Sequence, residues 1–268
     1  MRASSAARPR PRWGQHFLVN AGTVRKILDA LGAGEGETVV EIGPGRGALT
    51  VPLLDRGVRV LAFEIDPPLA ARLSADHSER TLFVETEDAL HADVGAALER
   101  IGAPPPVPLV GNLPYESATP MIRAFVRRPD LFSRLVVMIQ REVADRLVSP
   151  PGGDAYGFLT LDVGAHASAR KLFDVGRGEF SPPPKVLSSV VELVPHPPGA
   201  SVDATLKVAS AGFTSRRKTL VNALTPLWGR ERAVGAVAEA GLPPTARAET
   251  LGLDVFRRLS LSLGAPVR

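Results

Sequence analysis

The feature that most constrains the fold is a regular alternation of short apolar runs with segments of helical periodicity. Strand-helix repetition at this spacing predicts an α/β fold with a mostly parallel, doubly wound sheet. The predicted strands lie near residues 38–43, 58–64, 81–85, 107–111 and 134–140, and the predicted helices near 22–31, 47–56, 67–75, 91–101, 118–127 and 141–147.

A proline-rich segment at residues 195–199 predicts a domain boundary. Before it, two further strands near 168–174 and 187–194 close the predicted sheet. After it, the patterns indicate helices only, near 202–213, 215–227, 230–240 and 247–263. The sequence therefore predicts a basic flexible arm over 1–14, an α/β domain over 15–199 and a small all-α domain over 200–268.

Composition excludes several kinds of site. No run of about 18 apolar residues occurs, so no membrane span is expected. Cysteine is absent, which excludes disulfides, thiolate metal ligands and a cysteine nucleophile. The five histidines show no metal-ligand spacing, so no metal site is expected. The arginine-rich start is similar to an organellar presequence, but its Pro-Arg-Pro-Arg stretch resists an amphipathic helix, and we expect a cytoplasmic protein.

Charge is distributed unevenly along the chain. Residues 1–28 hold six basic residues and no acidic one, and residues 200–268 hold ten basic and five acidic residues. The net charge of +4 therefore leaves −7 on the middle of the chain. Basic ends around an acidic body suggest that a polyanion is bound by the ends. The alternative is a solubilising tail and ordinary solvated helices.

The tetrapeptide Asn112-Leu113-Pro114-Tyr115 follows a predicted strand and combines an amide, a rigid turn and an aromatic face. The Asn112 carboxamide oxygen and the Leu113 carbonyl can accept hydrogen bonds from an exocyclic amino group. Pro114 fixes its own φ and lacks an N–H, while Tyr115 can stack on a flat ring. These properties suit an adenine. The alternative is an ordinary Asn-Pro loop after a strand.

A glycine-rich turn at residues 41–47 follows the first strong strand and is typical of a cofactor loop. Its Gly43 and Gly45 also nearly satisfy the glycine pattern of dinucleotide-binding loops, so the turn alone does not exclude NAD as the cofactor. Glu64 ends the second strand, where a carboxylate can accept ribose hydroxyls, and Asp66 is placed to cap the next helix. Asp88 follows the third strand and is a candidate acceptor for a cofactor amino group, or a solvated loop acid.

Four ordered motifs together resemble the ribosomal RNA adenine dimethyltransferase family, which includes the KsgA and Erm types. Gln15-His16-Phe17-Leu18 resembles the family's Q-N/H-F-L. Residues 41–47 resemble its E-I-G-P-G-x-G, residues 112–115 its N-L-P-Y, and residues 180–186 its F-x-P-P-P-K-V. The resemblance implies a class I, Rossmann-like methyltransferase domain that binds S-adenosylmethionine through His16, Leu18, Gly43, Gly45, Glu64, Asp88 and Asn112. The family often has Asn in place of His16, so a backbone contact is expected there.

For catalysis, the resemblance implies that residues 112–115 hold a flipped adenine and that Phe180 stacks on it; the alternative for Phe180 is a core aromatic. A basic cluster, Arg216-Arg217-Lys218, opens the helical domain, and the family's similar stretch favours RNA contact or packing between domains.

The leading hypothesis is an enzyme that dimethylates two adjacent adenosines of small-subunit rRNA in a pre-30S particle and acts as a monomer. The alternatives are an Erm-type enzyme acting on large-subunit rRNA, a non-catalytic RNA-binding assembly factor and, last, an NAD-dependent oxidoreductase.

Overall fold

The computed structural model describes residues 16–214 and 218–266. The strands are β1 (Phe17–Leu18), β2 (Thr38–Ile42), β3 (Arg59–Phe63), β4 (Leu82–Glu85), β5 (Val107–Asn112), β6 (Phe132–Gln140), β7 (Ala167–Val175), β8 (Phe180–Ser181) and β9 (Ser188–Pro195). The helices of the sheet region are α1 (Ala21–Leu31), α2 (Thr50–Asp55), α3 (Pro67–Asp76), α4 (Val94–Arg100), α5 (Ala118–Phe125) and α6 (Arg141–Val148). Further along the chain lie α7 (Phe158–Gly164), α8 (Val202–Phe213), α9 (Leu220–Trp228), α10 (Arg230–Glu239) and α11 (Leu253–Leu263).

Seven strands form one sheet in the order β4-β3-β2-β5-β6-β9-β7. The five strands from β4 to β6 are parallel to their neighbours. The central residues of β2, β3, β5 and β6 are buried on both faces, as in Val39-Val40 of β2 and Val60-Leu61 of β3, because helices cover a parallel sheet on both sides, while the edge strand β4 is half-buried. The predicted doubly wound, mostly parallel sheet is therefore confirmed.

The last strands of the sheet depart from the parallel pattern. β9 pairs antiparallel with β6, and β7 forms the edge beside β9. A separate two-stranded sheet joins β1 to β8, with Leu18 opposite Phe180. The sequence did not predict this small sheet, because two-residue strands carry no periodic signal. It brings the first described residues beside residues 180–182, far away in the sequence.

The chain divides into two compact units. One contains the described residues up to Ala144 together with Ala169–Pro195, and the other contains Asp145–Ser168 and the described residues from His196 onward. The first unit has its core between the sheet and its helices, with Val39, Val60 and Val136 among the buried residues.

The second unit is helical and has its own core around Trp228 and Phe256, both almost fully buried. Residues 145–168 belong to this unit, although the sequence assigned them to the α/β domain. The reason is the packing of Tyr156 and Leu161 into the helical core, where the Tyr156 hydroxyl also donates to the Leu251 carbonyl over 2.7 Å. Burial raises the pKa of Tyr156 to about 12, so this hydroxyl keeps its proton.

Candidate functional site

A cavity of about 530 Å³ lies in the first unit, at the carboxyl ends of the parallel strands. Ligands of open α/β sheets bind at this edge. The segments that line the cavity are the ends of β2, β3, β5 and β6, the loop after β4, and residues 16–18. The predicted cofactor residues His16, Leu18, Gly43, Gly45, Glu64, Asp88 and Asn112 all line it, together with Leu113, Pro114 and Tyr115. The structure therefore brings these residues into one site, and their individual roles stay predictions.

The glycine-rich loop between β2 and α2 needs glycine for its backbone conformation. Gly43 and Gly45 have φ angles of +66° and +57°, a region that L side chains rarely adopt. A Cβ on Gly45 would also come within 3.0 Å of the Phe17 ring. The loop thus presents bare backbone to the cavity, as a cofactor loop must.

Glu64 joins this loop to the end of β3. One of its carboxylate oxygens accepts a hydrogen bond from the Gly45 backbone N–H and the other from the Asp66 N–H, each over 2.9 Å. Burial raises the pKa of Glu64, and the two backbone donors act in the opposite direction. Because each carboxylate oxygen has a second lone pair, the group can also accept from a ribose. Asp66 occupies the N-cap position of α3, as expected, but its side chain makes no capping hydrogen bond.

Glu41 is a second buried acid beneath the loop. It is 1% exposed, and one of its oxygens accepts from the Thr50 hydroxyl over 2.7 Å. The pKa of Glu41 is raised to about 8, chiefly by burial; the hydrogen bond from Thr50 acts to lower it and the charge of nearby Glu64 to raise it, and both effects are included in this value. A neutral Glu41 at pH 7 is therefore part of the structure that supports the cavity.

Asp88 lies in the loop after β4 and lines the cavity at its β4 side. Its side chain accepts from the Leu90 backbone N–H over 3.0 Å, which fixes the carboxylate in place. The group is half-buried, so it is neither a core residue nor a fully solvated acid. This placement suits the predicted contact with a cofactor amino group.

Asn112 ends β5 in the middle of the cavity wall. Its Nδ2 donates to the His16 backbone carbonyl over 2.9 Å, so its Oδ1 is the side-chain atom that can accept from a ligand. The next residue, Leu113, is buried, and its backbone N–H donates to the Met138 carbonyl over 3.0 Å. The tetrapeptide backbone is thereby anchored on β6, and the Asn112 amide is held in one orientation.

Tyr115 lies beside His16 and the start of β9. Its hydroxyl shares a 2.7 Å hydrogen bond with the Ser188 hydroxyl, and burial raises the pKa of the phenol. The His16 ring stacks on the Tyr115 ring, with centroids 5.8 Å apart and planes at 29°. His16 Nδ1 donates to the Pro182 carbonyl over 2.9 Å, since a carbonyl only accepts. Contacts from three distant segments therefore fix the aromatic side of the cavity.

Phe180 differs from the other predicted catalytic residues in its placement. It is 3% exposed, belongs to the hydrophobic core with Leu18, and is not among the residues that line the cavity. This burial matches the alternative of a core aromatic. Its stacking on a flipped base stays a prediction.

The predicted RNA-binding cluster is only partly covered by the structure. Arg216 and Arg217 lie outside the described residues, as does the predicted basic arm over 1–14, while Lys218 is exposed. Within 16–214 and 218–266, no group of acids and histidines is arranged to hold a metal ion. In the same ranges, no helix is both long and apolar enough to cross a membrane.

Ser188 and Gln140 are among the residues of the site that the sequence analysis did not single out. Ser188 is the hydrogen-bond partner of Tyr115, and Gln140 lines the cavity from the end of β6. Neither lies in one of the four motifs. Only the pairing of β6 with β9, which places them opposite each other, shows that they share a site.

Comparisons with known proteins give one consistent family. A family model described as "Ribosomal RNA adenine dimethylase" matches residues 6–260. A protein of Pseudomonas aeruginosa named "Ribosomal RNA small subunit methyltransferase A" is 39% identical over 261 residues, which cover 96% of this chain and 95% of that protein.

Two solved structures share the fold over nearly the whole chain. A dimethyladenosine transferase from Plasmodium falciparum has a TM-score of 0.77 and 25% identity, covering 94% of this chain and 99% of that one. A 23S rRNA methyltransferase, ErmE, has a TM-score of 0.71 and 26% identity, covering 92% of this chain and 99% of that one. These matches agree with the resemblance carried by the four sequence motifs.

Proposed function

The chain belongs to the ribosomal RNA adenine dimethylase family, and we propose that it transfers methyl groups from S-adenosylmethionine to N6 of two adjacent adenosines in small-subunit rRNA. The observation that carries this proposal is the orientation of Asn112. One Nδ2–H donates to the His16 carbonyl and holds the amide in place, so Oδ1 is the acceptor that Asn112 offers in a cavity that also contains the glycine loop and Glu64. An acceptor at that place suits an adenine amino group.

The residues present fit S-adenosylmethionine in the cavity. Glu64 can accept ribose hydroxyls, Asp88 can accept from the cofactor's adenine amino group, and the backbone of the glycine loop can lie against the methionine portion. When bound, S-adenosylmethionine supplies an electrophilic methyl group on a sulfonium. Glu64 and Asp88 follow β3 and β4 and form what we call the cofactor half of the cavity. Asn112 and Tyr115 lie at and after the end of β5 and form the target half, where we place the adenine; Asn112, which was predicted to contact both ligands, lies where the two halves meet.

The protein's contribution to the reaction is positioning. Adenine N6 is a poor nucleophile because its lone pair is delocalised into the ring, so it must be held about 3–3.5 Å from the methyl group. Asn112 Oδ1 and the Leu113 carbonyl can accept from the two N–H groups, which favours a localised lone pair on N6. Tyr115, fixed by Ser188 and His16, offers a stacking surface that offsets the few kcal/mol lost when the base leaves its stack.

We propose small-subunit rRNA as the substrate because of the names of the related proteins. The curated relatives, at 38–41% identity, are named for the small subunit, although the fold is shared with ErmE. The sequence agrees, since Asn112-Leu113-Pro114-Tyr115 and the three prolines at 182–184 are more similar to the KsgA type than to the usual Erm forms. We further propose that the enzyme acts in the cytoplasm as a monomer on a pre-30S particle and supports ribosome maturation, with residues 216–218 contacting rRNA phosphates.

Transfer of labelled methyl groups tests this function directly. The substrates are small and large ribosomal subunits that lack the modification, and the labelled rRNA is digested to nucleosides. We expect N6,N6-dimethyladenosine in small-subunit rRNA only. Label in the large subunit alone would identify an Erm-type enzyme. Binding to small subunits without any transfer would identify a non-catalytic assembly factor.

A further inference from the structure

Gln140 lies on the same face of the sheet as Asn112. Asn112 of β5 is paired with Met138 of β6, and successive side chains of a strand alternate between the two faces. Gln140, two residues after Met138, therefore lies on the face of Met138 and Asn112, one step beyond the end of β5. Its partner on β9 is Ser188, whose hydroxyl is bonded to Tyr115. Gln140 thus stands next to the two residues proposed to hold the target base.

The order of the strands separates Gln140 from the cofactor half of the cavity. β4 and β6 are at opposite ends of the five parallel strands, and Asp88 follows β4 while Gln140 ends β6. Both residues line the cavity. A ligand that contacts Gln140 is therefore the one held by Asn112 and Tyr115.

Asn112 and Gln140 together offer both an acceptor and a donor to the edge of the target base. Asn112 offers Oδ1 as an acceptor, and one of its two Nδ2–H groups donates to the His16 carbonyl and holds the amide in this orientation. Gln140 is half-buried, and no other described residue forms a hydrogen bond with its side chain. Its carboxamide carries two N–H donors. The adenine edge places the amino donor N6 next to the ring acceptor N1, so beside the two acceptors for N6 the base can take one donor from the protein, at N1.

We propose that Gln140 determines specificity for adenine by donating its Nε2–H to N1 of the target base while Asn112 Oδ1 accepts from N6. The inference rests on the proposed function and adds a residue to it. A base with a protonated N1, such as guanine or hypoxanthine, places an N–H against the Gln140 amide. Such a base also has an oxygen in place of the N6 amino group, and that oxygen would face Asn112 Oδ1, whose orientation is held by the bond to His16. Even if the Gln140 amide turns its own oxygen to the N1–H, the two opposed acceptors remain unfavourable, and the base is rejected.

A double-mutant cycle between protein and RNA tests the contact. Small subunits are reconstituted with rRNA that carries either adenosine or 1-deazaadenosine at the two target positions; the analogue keeps N6 but has C–H in place of N1. Single-turnover methyl transfer is measured with the wild-type enzyme and with Gln140→Ala. Each change alone should slow transfer about 3- to 10-fold, the usual effect of one neutral hydrogen bond. The two changes together should cause no further loss.

If the fold decreases in transfer rate caused by Gln140→Ala and by 1-deazaadenosine multiplied when the two changes were combined, the contact would not exist and the proposal would be overturned. An unchanged rate of Gln140→Ala on adenosine would overturn it as well. Calorimetric affinity for S-adenosylmethionine should stay at the wild-type value, because Gln140 lies outside the cofactor half; a weakened affinity equal to the loss in rate would also overturn it. Gln140→Glu, which keeps the size but lacks the NH2 donor, serves if the alanine variant does not fold, and it should show the same cycle. Transfer by the wild-type enzyme in the same assay tests the proposed function separately.

Discussion

At the scale of single residues, Glu64 shapes the cavity at the end of β3 and is also proposed to bind the ribose of S-adenosylmethionine. Glu64→Ala removes the acceptor of two backbone N–H groups and the charged acceptor for ribose. Hydrogen bonds to charged groups contribute about 1.5–3 kcal/mol, so the dissociation constant for S-adenosylmethionine should rise roughly 10- to 100-fold in calorimetry. Glu37→Ala is the matched control, since exposed Glu37 also accepts a backbone N–H, from Gly34, outside the cavity. Unchanged affinity in folded Glu64→Ala would remove Glu64 from the site.

Substitution of Asn112 should lower the turnover rate more than it lowers the affinity for either ligand. Asn112→Ala removes the proposed acceptor at the reacting amino group, and the methyl-transfer rate should fall roughly 10²- to 10³-fold at saturating S-adenosylmethionine. Asn112→Asp separates two causes, because it keeps Oδ1 but lacks the N–H that holds the His16 carbonyl. It should retain more of the rate than alanine does. A folded Asn112→Ala enzyme with near wild-type turnover would show that Asn112 has no catalytic role.

Glu41 gives the protein a specific pH dependence of stability. Its pKa is raised to about 8 in the folded protein, chiefly by burial, from 4.5 in an exposed carboxyl. Between these values the folded state binds the proton more tightly than the unfolded state. The stabilisation is therefore complete below about pH 4.5 and is lost as the pH rises toward 8, by up to about 1.4 kcal/mol per pH unit.

Urea unfolding of the wild-type protein and Glu41→Gln from pH 5 to 8 measures this effect. The glutamine carries no titrating proton, so the difference in unfolding free energy between the two proteins should shift in favour of the variant as the pH rises. A difference that does not vary with pH would mean that Glu41 is ionised in the folded protein.

The residue scale also shows how far a sequence can predict a site. The residues of the glycine loop, Glu64 and Asn112 were identified from their positions at strand ends, and they line one cavity. The bond from Asn112 to the His16 carbonyl was not predictable, because it joins residues 96 positions apart. The burial of Phe180 was not predictable either, since it depends on the pairing of β8 with β1.

At the scale of elements, the parallel contact between β2 and β5 depends on Gly111. A Cβ at this position would lie 2.7 Å from the Ile42 carbonyl oxygen, closer than real Cβ contacts allow. Because the Cβ and the carbonyl oxygen are both fixed by the backbone, neither can move without separating the strands. The contact also sets the position of Asn112, the next residue of β5.

Gly111→Ala should therefore lower the unfolding free energy by at least the roughly 1–3 kcal/mol typical of overpacking, and methyl transfer should slow as Asn112 is displaced. Gly235→Ala is a matched control, because Gly235 lies in α10 with open space around it. That helical substitution should stabilise the protein by about 0.5–1 kcal/mol. Equal stability of Gly111→Ala and the wild type, measured by urea unfolding, would contradict this account of the strand contact.

Some strands and helices could be predicted from the sequence and others could not. The central strands were predicted because burial on both faces requires continuous apolar runs, as in Val107–Asn112. Helix α7 was missed, since its apolar residues Leu159, Leu161 and Val163 alternate with polar ones, a pattern that is typical of a strand. The grouping of residues 145–168 with the helical unit was missed as well, because it follows from the long-range contact of Tyr156 with Leu251.

At the scale of the whole molecule, charge and cavity are in different parts of the chain. The cavity is formed by residues 16–140, most of which fall in the part of the chain with net negative charge. The basic excess lies in residues 1–28 and 200–268. We therefore predict that the basic segments bind the rRNA phosphates, and that changes in those segments alter RNA affinity without altering cofactor affinity.

The pair Arg216 and Arg217 is the sharpest test of this separation. Removing one phosphate contact lowers the slope of log affinity against log salt by about one, so Arg216→Ala with Arg217→Ala should weaken small-subunit binding and lower the slope by about two. Arg257→Ala with Arg258→Ala removes the same charge from an exposed pair on α11 and serves as the matched control. Binding is measured by filter retention over a salt series, and cofactor affinity by calorimetry. If both double variants lower the slope equally, the effect belongs to net charge; if neither does, residues 216 and 217 bind no phosphate and the RNA is held elsewhere.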